Sequence, residues 1–305
     1  MNIIKKMKRL GLKLGFQKMV GYEAIFSCAF CEREPGERIV PQQFQERKKF
    51  SGFTTFRKVL VCRSAFVGKR RERSRFFRKS GQKNGERMYS VCRYFRGILE
   101  RACCGDREEP FHMSFPMCFE WQNELYMIPE TEMDQALHLY RCVEFPYKWE
   151  EAGIYMKGWS LVDSVLWSQN DGNMQFLASE YDPKDDFYTR YHAYELQRAD
   201  GQIKCRDLGR ISDKYTLRSR MAGPVIEDKV PLAIVQRSTP GIYGYSIQFC
   251  KKEEYLPGKV VKEILPSDLT GMGHKLLGVH TYSRSSHYEM LDIQYLIYNK
   301  DKWRK

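Results

Sequence analysis

An all-β chain of repeated hairpins is what this sequence predicts, and three observations carry that expectation. Short alternating apolar runs recur from Phe111 onward, no apolar stripe of helical period outlasts two turns, and hairpin-like units restart along the chain. With Phe115, Val162, Ala222 and Val279 as equivalent starts, the offsets are 47, 60 and 57 residues. Four short strands in each roughly 45–60 residues is the arithmetic of propeller blades, which bury both faces only by stacking on their neighbours.

Residues 1–20 are basic and amphipathic and are expected to form a short N-terminal helix. They lack a continuous apolar h-region and a small-residue cleavage site, so no signal peptide is read. Their character permits contact with a membrane surface, but a docked or frayed terminal helix is the preferred reading. No run reaches the roughly 18 apolar residues a membrane helix needs. Residues 21–55 hold one strand candidate, Tyr22 to Phe30, and a polar loop, a segment placed to close a propeller. Cys28-Ala-Phe-Cys31 has metal-ligand spacing, but no second pair follows to complete four zinc ligands. No metal or cofactor is therefore expected.

Residues 56–107 break the pattern. Basic residues crowd together in Lys69-Arg-Arg-Glu-Arg-Ser-Arg-Phe-Phe-Arg-Lys79, and neither strand nor helix period persists. The net charge of +13 belongs to this end of the chain: residues 1–110 hold 27 Lys and Arg against 11 Asp and Glu, whereas residues 111–305 hold 24 against 27. Six of the ten cysteines also precede residue 110. Without a leader these read as reduced thiols, and the chain is expected to be a bacterial, cytoplasmic protein. Overall, 42% hydrophobic and 14% aromatic residues over 305 positions suffice for a buried core and exclude a disordered class.

From residue 108 the order returns. The opening hairpin runs from Phe111 to Glu130 with its turn at Gln122-Asn123. A third strand follows at Leu137-His-Leu-Tyr-Arg-Cys142, an aromatic turn at Phe145-Pro-Tyr-Lys-Trp149, and a short outer strand at Gly153-Ile-Tyr-Met156. The unit restarts at Val162-Asp-Ser-Val-Leu-Trp167, turning at Asn170-Asp-Gly-Asn173. It restarts again at Met221-Ala-Gly-Pro-Val-Ile226, turning at Glu227-Asp-Lys229, and a last time at Gly278-Val-His-Thr-Tyr282. Tyr126, Trp121 and Trp167 are expected in the core between blades.

These motifs in this order resemble one propeller family. Phe111-His-Met-Ser-Phe-Pro, Phe-Glu-Trp121, Leu-Tyr-Met-Ile-Pro-Glu130, the Phe145–Trp149 turn, Val162–Trp167 and Leu277-Gly-Val-His-Thr-Tyr282 carry the resemblance, over about residues 108–293. The family is the N-terminal domain of plant glucosamine inositolphosphorylceramide transferases and of bacterial proteins linked to surface-polysaccharide synthesis. The resemblance implies a five-bladed, glycosidase-like propeller, with sugar transfer assigned in the plant proteins to a separate domain. It also implies a first blade opening with a Trp-Tyr-Ala-Asp-Pro type motif, which is missing here. A coding string TGG-TAT-GCC-GAT-CCG read from its third base gives Val-Cys-Arg-Ser, the residues at Val61 to Ser64. Ile98-Leu-Glu-Arg-Ala-Cys-Cys104 hides Tyr-Trp-Ser-Gly-Pro-Val-Val in the same way. Residues 56–107 are therefore expected to be a frame-shifted, disrupted first blade.

Polar residues at the start of each hairpin converge on a propeller's channel. That selects His112, Ser114, Asp163, Ser164, Arg220, His280 and Thr281, with Glu130 and Gln236 at the exits of second strands. Glycoside hydrolysis needs two carboxyl groups about 5–10 Å apart, and Glu130 with Asp163 is the available pair. Arg220 has the fork for a carboxylate or phosphate. Asp163 equally suits a turn cap, Glu130 a solvated loop charge and His280 a structural imidazole. The first reading is a glycan-binding or accessory propeller in cell-surface polysaccharide or glycolipid synthesis, with carbohydrate or glycolipid and a nearby glycosyltransferase as partners. The second is an active glycosidase-like or glycan-transferring enzyme. The third is a nucleic-acid binder using the arginine-rich first third with Phe76, Phe77, Tyr89, Tyr94 and Phe95; the charge split and the frame-shift expectation stand against it.

Overall fold

The computed structural model describes residues 22–32, 51–52, 65–69, 72–80, 87–95, 98–103, 111, 113–145, 148–182, 188–211, 216–217, 220–239, 242–269, 275–284 and 288–298. The helix expected over 1–20 and the candidate His112 lie outside them.

Each sheet is an antiparallel meander. Strands β1 (Tyr22–Glu32) and β2 (Ser51–Gly52) come first, then β3 (Ala65–Lys69), β4 (Glu72–Ser80), β5 (Arg87–Phe95) and β6 (Ile98–Cys103). The next sheet holds β7 (Ser114–Trp121), β8 (Glu124–Glu130), β9 (Leu137–Glu144) and β10 (Lys148–Tyr155). It is followed by β11 (Leu161–Asn170), β12 (Asn173–Glu180), β13 (Tyr188–Ala199) and β14 (Gln202–Arg210), with the short β15 (Thr216–Leu217) on β13. Then come β16 (Met221–Ile226), β17 (Leu232–Thr239), β18 (Ile242–Lys252) and β19 (Pro257–Ile264), and finally β20 (Leu276–Arg284) and β21 (Tyr288–Tyr298). The last sheet is completed from the other end of the chain: β1 pairs with β21 from Tyr22 opposite Tyr298 to Glu32 opposite Tyr288.

The innermost strands β3, β7, β11, β16 and β20 lie each against the next, and β20 lies against β3. This is a β-propeller, and its first strands surround the axis. Residues 65–103, where the sequence shows no strand period, nevertheless run as the four-stranded order β3-β4-β5-β6. Ladder hydrogen bonds are made by the backbone, so a meander does not require side-chain alternation. The first outer strand is longer than expected. It begins at Lys148, inside the expected aromatic turn, and pairs with β9 as far as Tyr155 opposite Leu137.

Two apolar clusters form the core. One joins Phe119, Trp121 and Ile128 to Trp167, Phe176 and Tyr194 and on to Met221 and Val235, so it spans three sheets. The other joins Ile234, Ile247 and Phe249 to Val279, Tyr282 and Leu291, with Ala29 of β1. Each large side chain so buried contributes roughly 1.5–3 kcal/mol of transfer free energy. Polar latches cross the same boundaries. The Trp121 Nε1–H donates to the Gly172 carbonyl at 2.7 Å and the Trp167 Nε1–H to the Glu254 carbonyl at 2.9 Å, each reaching a turn of a neighbouring sheet. The three aromatics expected in the core are thus spent on packing.

Candidate functional site

Four innermost strands share one irregularity. Pairing jumps from Ser114 to Met117 in β7, from Val162 to Val165 in β11, from Met221 to Gly223 in β16, and from Val279 to Thr281 in β20. A bulge leaves its residue out of the ladder and re-aims the side chain. The residues so placed are Phe115, Asp163, Ala222 and His280. Phe115 has φ 44° and Asp163 φ 53°. The left-handed region costs a non-glycine residue on the order of 1–3 kcal/mol and is held only where the surroundings enforce it.

Around Asp163 a line of side-chain contacts, joined at one point by a backbone bond, crosses three sheets. Asp163 is buried, and its Oδ2 lies 4.0 Å from Nη1 of Arg220, which immediately precedes β16. The Arg220 guanidinium stands 5.4 Å from the Tyr181 ring, within cation–π range. The Arg220 carbonyl accepts the Gln236 backbone N–H at 2.8 Å, and the Gln236 Nε2–H donates to the Tyr243 hydroxyl at 3.1 Å. The Tyr243 ring lies 4.8 Å from the His280 ring. Gly244 makes that approach possible: its φ is +64°, and a Cβ there would fall 2.4 Å from Cδ2 of His280.

The remaining candidates sit nearby in the framework. Ser114 and Glu130 face each other across β7 and β8, both buried. Ser164 is buried beside Asp163, and Thr281 is buried opposite Asp292. The structure thus joins Asp163, Arg220, Gln236 and His280 into one line, and leaves Ser114 and Glu130 on the adjacent sheet.

Sequence reasoning missed the exposed members, Tyr181 and Tyr243, whose rings are 37% and 38% exposed where most large aromatics are buried. Tyr181 directly follows β12 and Tyr243 is the second residue of β18, both at strand ends where no periodicity marks them; the Gly-Ile-Tyr-Gly run around Tyr243 was the one available signal. It also missed Asp292, a fully buried carboxylate inside the apolar run Met290-Leu-Asp-Ile293.

Behind Tyr181 lies a buttress. His192 is fully buried, with Nδ1 3.1 Å from Glu180 Oε1 and Nε2 2.7 Å from Asp207 Oδ1, and Arg210 Nη2 donates to Glu180 Oε2 at 2.8 Å. Burial alone would push the Glu180 carboxyl up, but the bonds from Arg210 and His192 outweigh it and hold the carboxyl below its ordinary range. The backbone that presents Tyr181 is therefore anchored one residue before the ring. Chemically, the line offers one carboxylate acceptor, guanidinium and amide donors, and two exposed rings.

A propeller with a buried polar line flanked by exposed aromatics at its innermost strands is the class these features define. Residues 104–194 match the family model of glucosamine inositolphosphorylceramide transferase 1, N-terminal. Proteins named glucosamine inositolphosphorylceramide transferase 1 are 36% identical over 74 residues in rice (Oryza sativa), 24% of this chain and 10% of theirs. The protein of that name from Arabidopsis thaliana is 41% identical over 59 residues, 19% of this chain and 8% of its own. The chain thus resembles that N-terminal propeller domain, while the matched stretch spans about a tenth of the length of the curated relatives. These are plant proteins, and the bacterial, cytoplasmic setting expected from the sequence finds no support in them. Among solved structures, a family-43 β-1,3-galactosidase with galactodeoxynojirimycin superposes with TM-score 0.51 at 9% identity, covering 77% of this chain and 90% of that one. A thermostable family-43 glycoside hydrolase gives TM-score 0.50 at 10% identity, covering 79% and 91%. These likenesses show the fold.

Proposed function

We propose that this chain is a non-hydrolytic glycan-binding propeller. It holds carbohydrate or the sugar part of a glycolipid at the channel mouth, as an accessory to a glycosyltransferase in cell-surface polysaccharide or glycolipid synthesis. The observation that carries the reading is the set of four bulge positions, Phe115, Asp163, Ala222 and His280. Carboxylate-pair hydrolysis needs an acid and a base or nucleophile across the sugar, and among the described residues these four bulge positions supply one carboxyl group. Binding draws on what reaches the surface: Arg220 bonds sugar oxygens, Tyr181 and Tyr243 cover the apolar ring face, and the buried Asp163 and His280 hold Arg220 and Tyr243 from behind. The names of the plant relatives support a glycolipid-synthesis setting, and the galactosidase-like fold supports a sugar ligand.

The propeller is five-bladed in this reading, with residues 65–103 as its first blade and β1 closing the last. Residues 56–107, which hold that blade, are a frame-shifted remnant of it; translating the gene in all three frames tests this, and the absence of a blade-like sequence in another frame sinks it. The binding reading is tested by titrating the full chain with neutral and acidic oligosaccharides in a calorimeter. Arg220→Met is expected to weaken binding at the mouth at least tenfold without changing the fold. Sugar turnover that disappears in both Glu130→Gln and Asp163→Asn would instead establish an enzyme built on that pair.

A further inference from the structure

At the opposite end of the molecule from Asp163, an open cleft of about 480 Å³ separates the outer halves of two neighbouring sheets. The β7–β8 turn and the β13–β14 turn border it, and Glu124, Tyr126, Arg141, Glu150, Ala152 and Arg198 line it. Its volume falls in the range of small-ligand sites, roughly 300–1,000 Å³.

The cleft wall is polar, and its groups are held in place. Glu124 Oε1 accepts from Arg141 Nη1 at 3.1 Å, while Oε2 accepts from the Tyr126 hydroxyl at 2.7 Å and from Arg198 Nη2. The Arg198 guanidinium is seated 5.1 Å from the Trp121 ring and 5.8 Å from the Tyr126 ring, so its plane is fixed by buried aromatics. The bonds from Tyr126 and Arg198 hold the Glu124 carboxyl below its ordinary range. Burial and the Glu124 bond push the Tyr126 hydroxyl up to about 12. Across neutral pH, then, Glu124 is an anion and Tyr126 keeps its proton.

The charges select the ligand class. Arg141 and Arg198 stand against Glu124 and Glu150 around one opening, while the Glu151 carboxylate is taken up by the buried His138 at 3.0 Å. An anionic ligand placed against the guanidinium groups meets Glu124 and Glu150, and a cationic one placed against the carboxylates meets Arg141 and Arg198; like-charge contact of this kind is costly. A neutral polyol meets no such conflict. Its hydroxyls donate to carboxylates and accept from guanidinium N–H groups, which gives charge-assisted bonds in both directions. We infer that this cleft is a second saccharide site, taking a neutral mono- or disaccharide unit. It uses none of the residues at the channel mouth and does not rest on the function proposed above.

Saturation-transfer NMR on the full chain tests this with cellobiose, lactose and maltose as neutral probes and glucuronic acid and glucosamine as charged ones. A neutral disaccharide is expected to receive transfer, more strongly than either charged sugar. Ala152→Trp, at an exposed strand position lining the cleft, is expected to weaken that binding at least tenfold. Gln202→Trp, across the cleft at the exposed first residue of β14, is expected to do the same by filling a different wall, so one misfolded variant does not decide the matter. The variants are compared in an Arg220→Met background, which removes binding at the other proposed site, and Lys259→Met, at an exposed position of β19 in another sheet, is expected to leave transfer within twofold. Transfer that survives both tryptophan variants, disappears in Lys259→Met, favours a charged sugar, or is absent for all three neutral probes overturns the inference.

Discussion

Gly223 offers a sharp test of how the innermost strands pack. It is buried in β16, and a Cβ added there would lie 2.0 Å from the Tyr282 carbonyl oxygen and 3.1 Å from its carbon, both backbone atoms of the neighbouring strand β20. A methyl group cannot occupy that space unless one sheet retreats from the other, which also disturbs the Phe249–Tyr282 edge contact at 5.2 Å. Overpacking of this kind costs about 1–3 kcal/mol, with the upper end expected where backbone must move. Reduced freedom of the unfolded chain returns about 0.4–1 kcal/mol. Gly223→Ala is therefore expected to destabilise by about 2 kcal/mol, a drop in Tm of about 4–8 °C for a domain of this class. The comparison is Gly158→Ala, where φ is +90° and nothing lies within 4 Å of the added Cβ, so only the conformational cost of about 1 kcal/mol applies. Urea denaturation and thermal melts of both variants measure the difference. A Gly223→Ala protein within 0.5 kcal/mol of the parent, or no less stable than Gly158→Ala, would refute the close approach of β16 to β20.

Three further outcomes follow from the framework. Trp121→Phe removes the donor to the Gly172 carbonyl and replaces the indole beneath Arg198 by a smaller ring, and is expected to cost about 2 kcal/mol in urea titration; an unchanged midpoint would show that the latch contributes nothing. Glu124 and Glu180 both have carboxyls held below their ordinary range in the folded state, so their stabilisation is present above that range and is lost as pH falls through it. Tm is expected to fall on acidification from about pH 5 to about pH 3, with a shallower fall in Glu180→Gln, and an identical slope in that variant would contradict the assignment. Burial pushes the Cys205 thiol up to about 12 and the Cys250 thiol up to about 11. Both are expected to resist iodoacetamide at pH 8 in the native protein and to react in urea; native-state modification at the unfolded rate, read by peptide mass spectrometry, would count against it.

What could be read from the sequence was what periodicity encodes. The turns at Gln122-Asn123 and Asp171-Gly172 were visible because those residues adopt positive φ readily, and they do so at 49° and 63° and at 49° and 80°. The buried inner strands announced themselves by apolar runs. The outer strands β14 and β19 did not, because half-solvated edges carry mixed polar residues such as Gln202-Ile-Lys-Cys-Arg-Asp-Leu-Gly-Arg210. The four strands over 65–103 left no trace in periodicity either.

The candidate site was half legible for a related reason. Asp163, Arg220, Gln236 and His280 were selected as polar residues at hairpin ends, and the structure joins them into one line. The bulges that set Asp163 and His280 out of their ladders were not visible, since a register shift depends on two strands at once and one strand's pattern cannot show it. That geometry matters to the chemistry more than the composition does. Once the shifts align Phe115, Asp163, Ala222 and His280 as equivalent positions, two carboxylates named from sequence separate into different roles: Asp163 stands on the ring, and Glu130 stands a strand away from it. Arg220 stands between Asp163 and the exposed Tyr181, so one anion is set beside one cation against an aromatic face, the arrangement on which the proposed function rests. Such a pairing orients hydroxyl groups at near-neutral net charge, which suits recognition of a sugar better than the protonation of its leaving group.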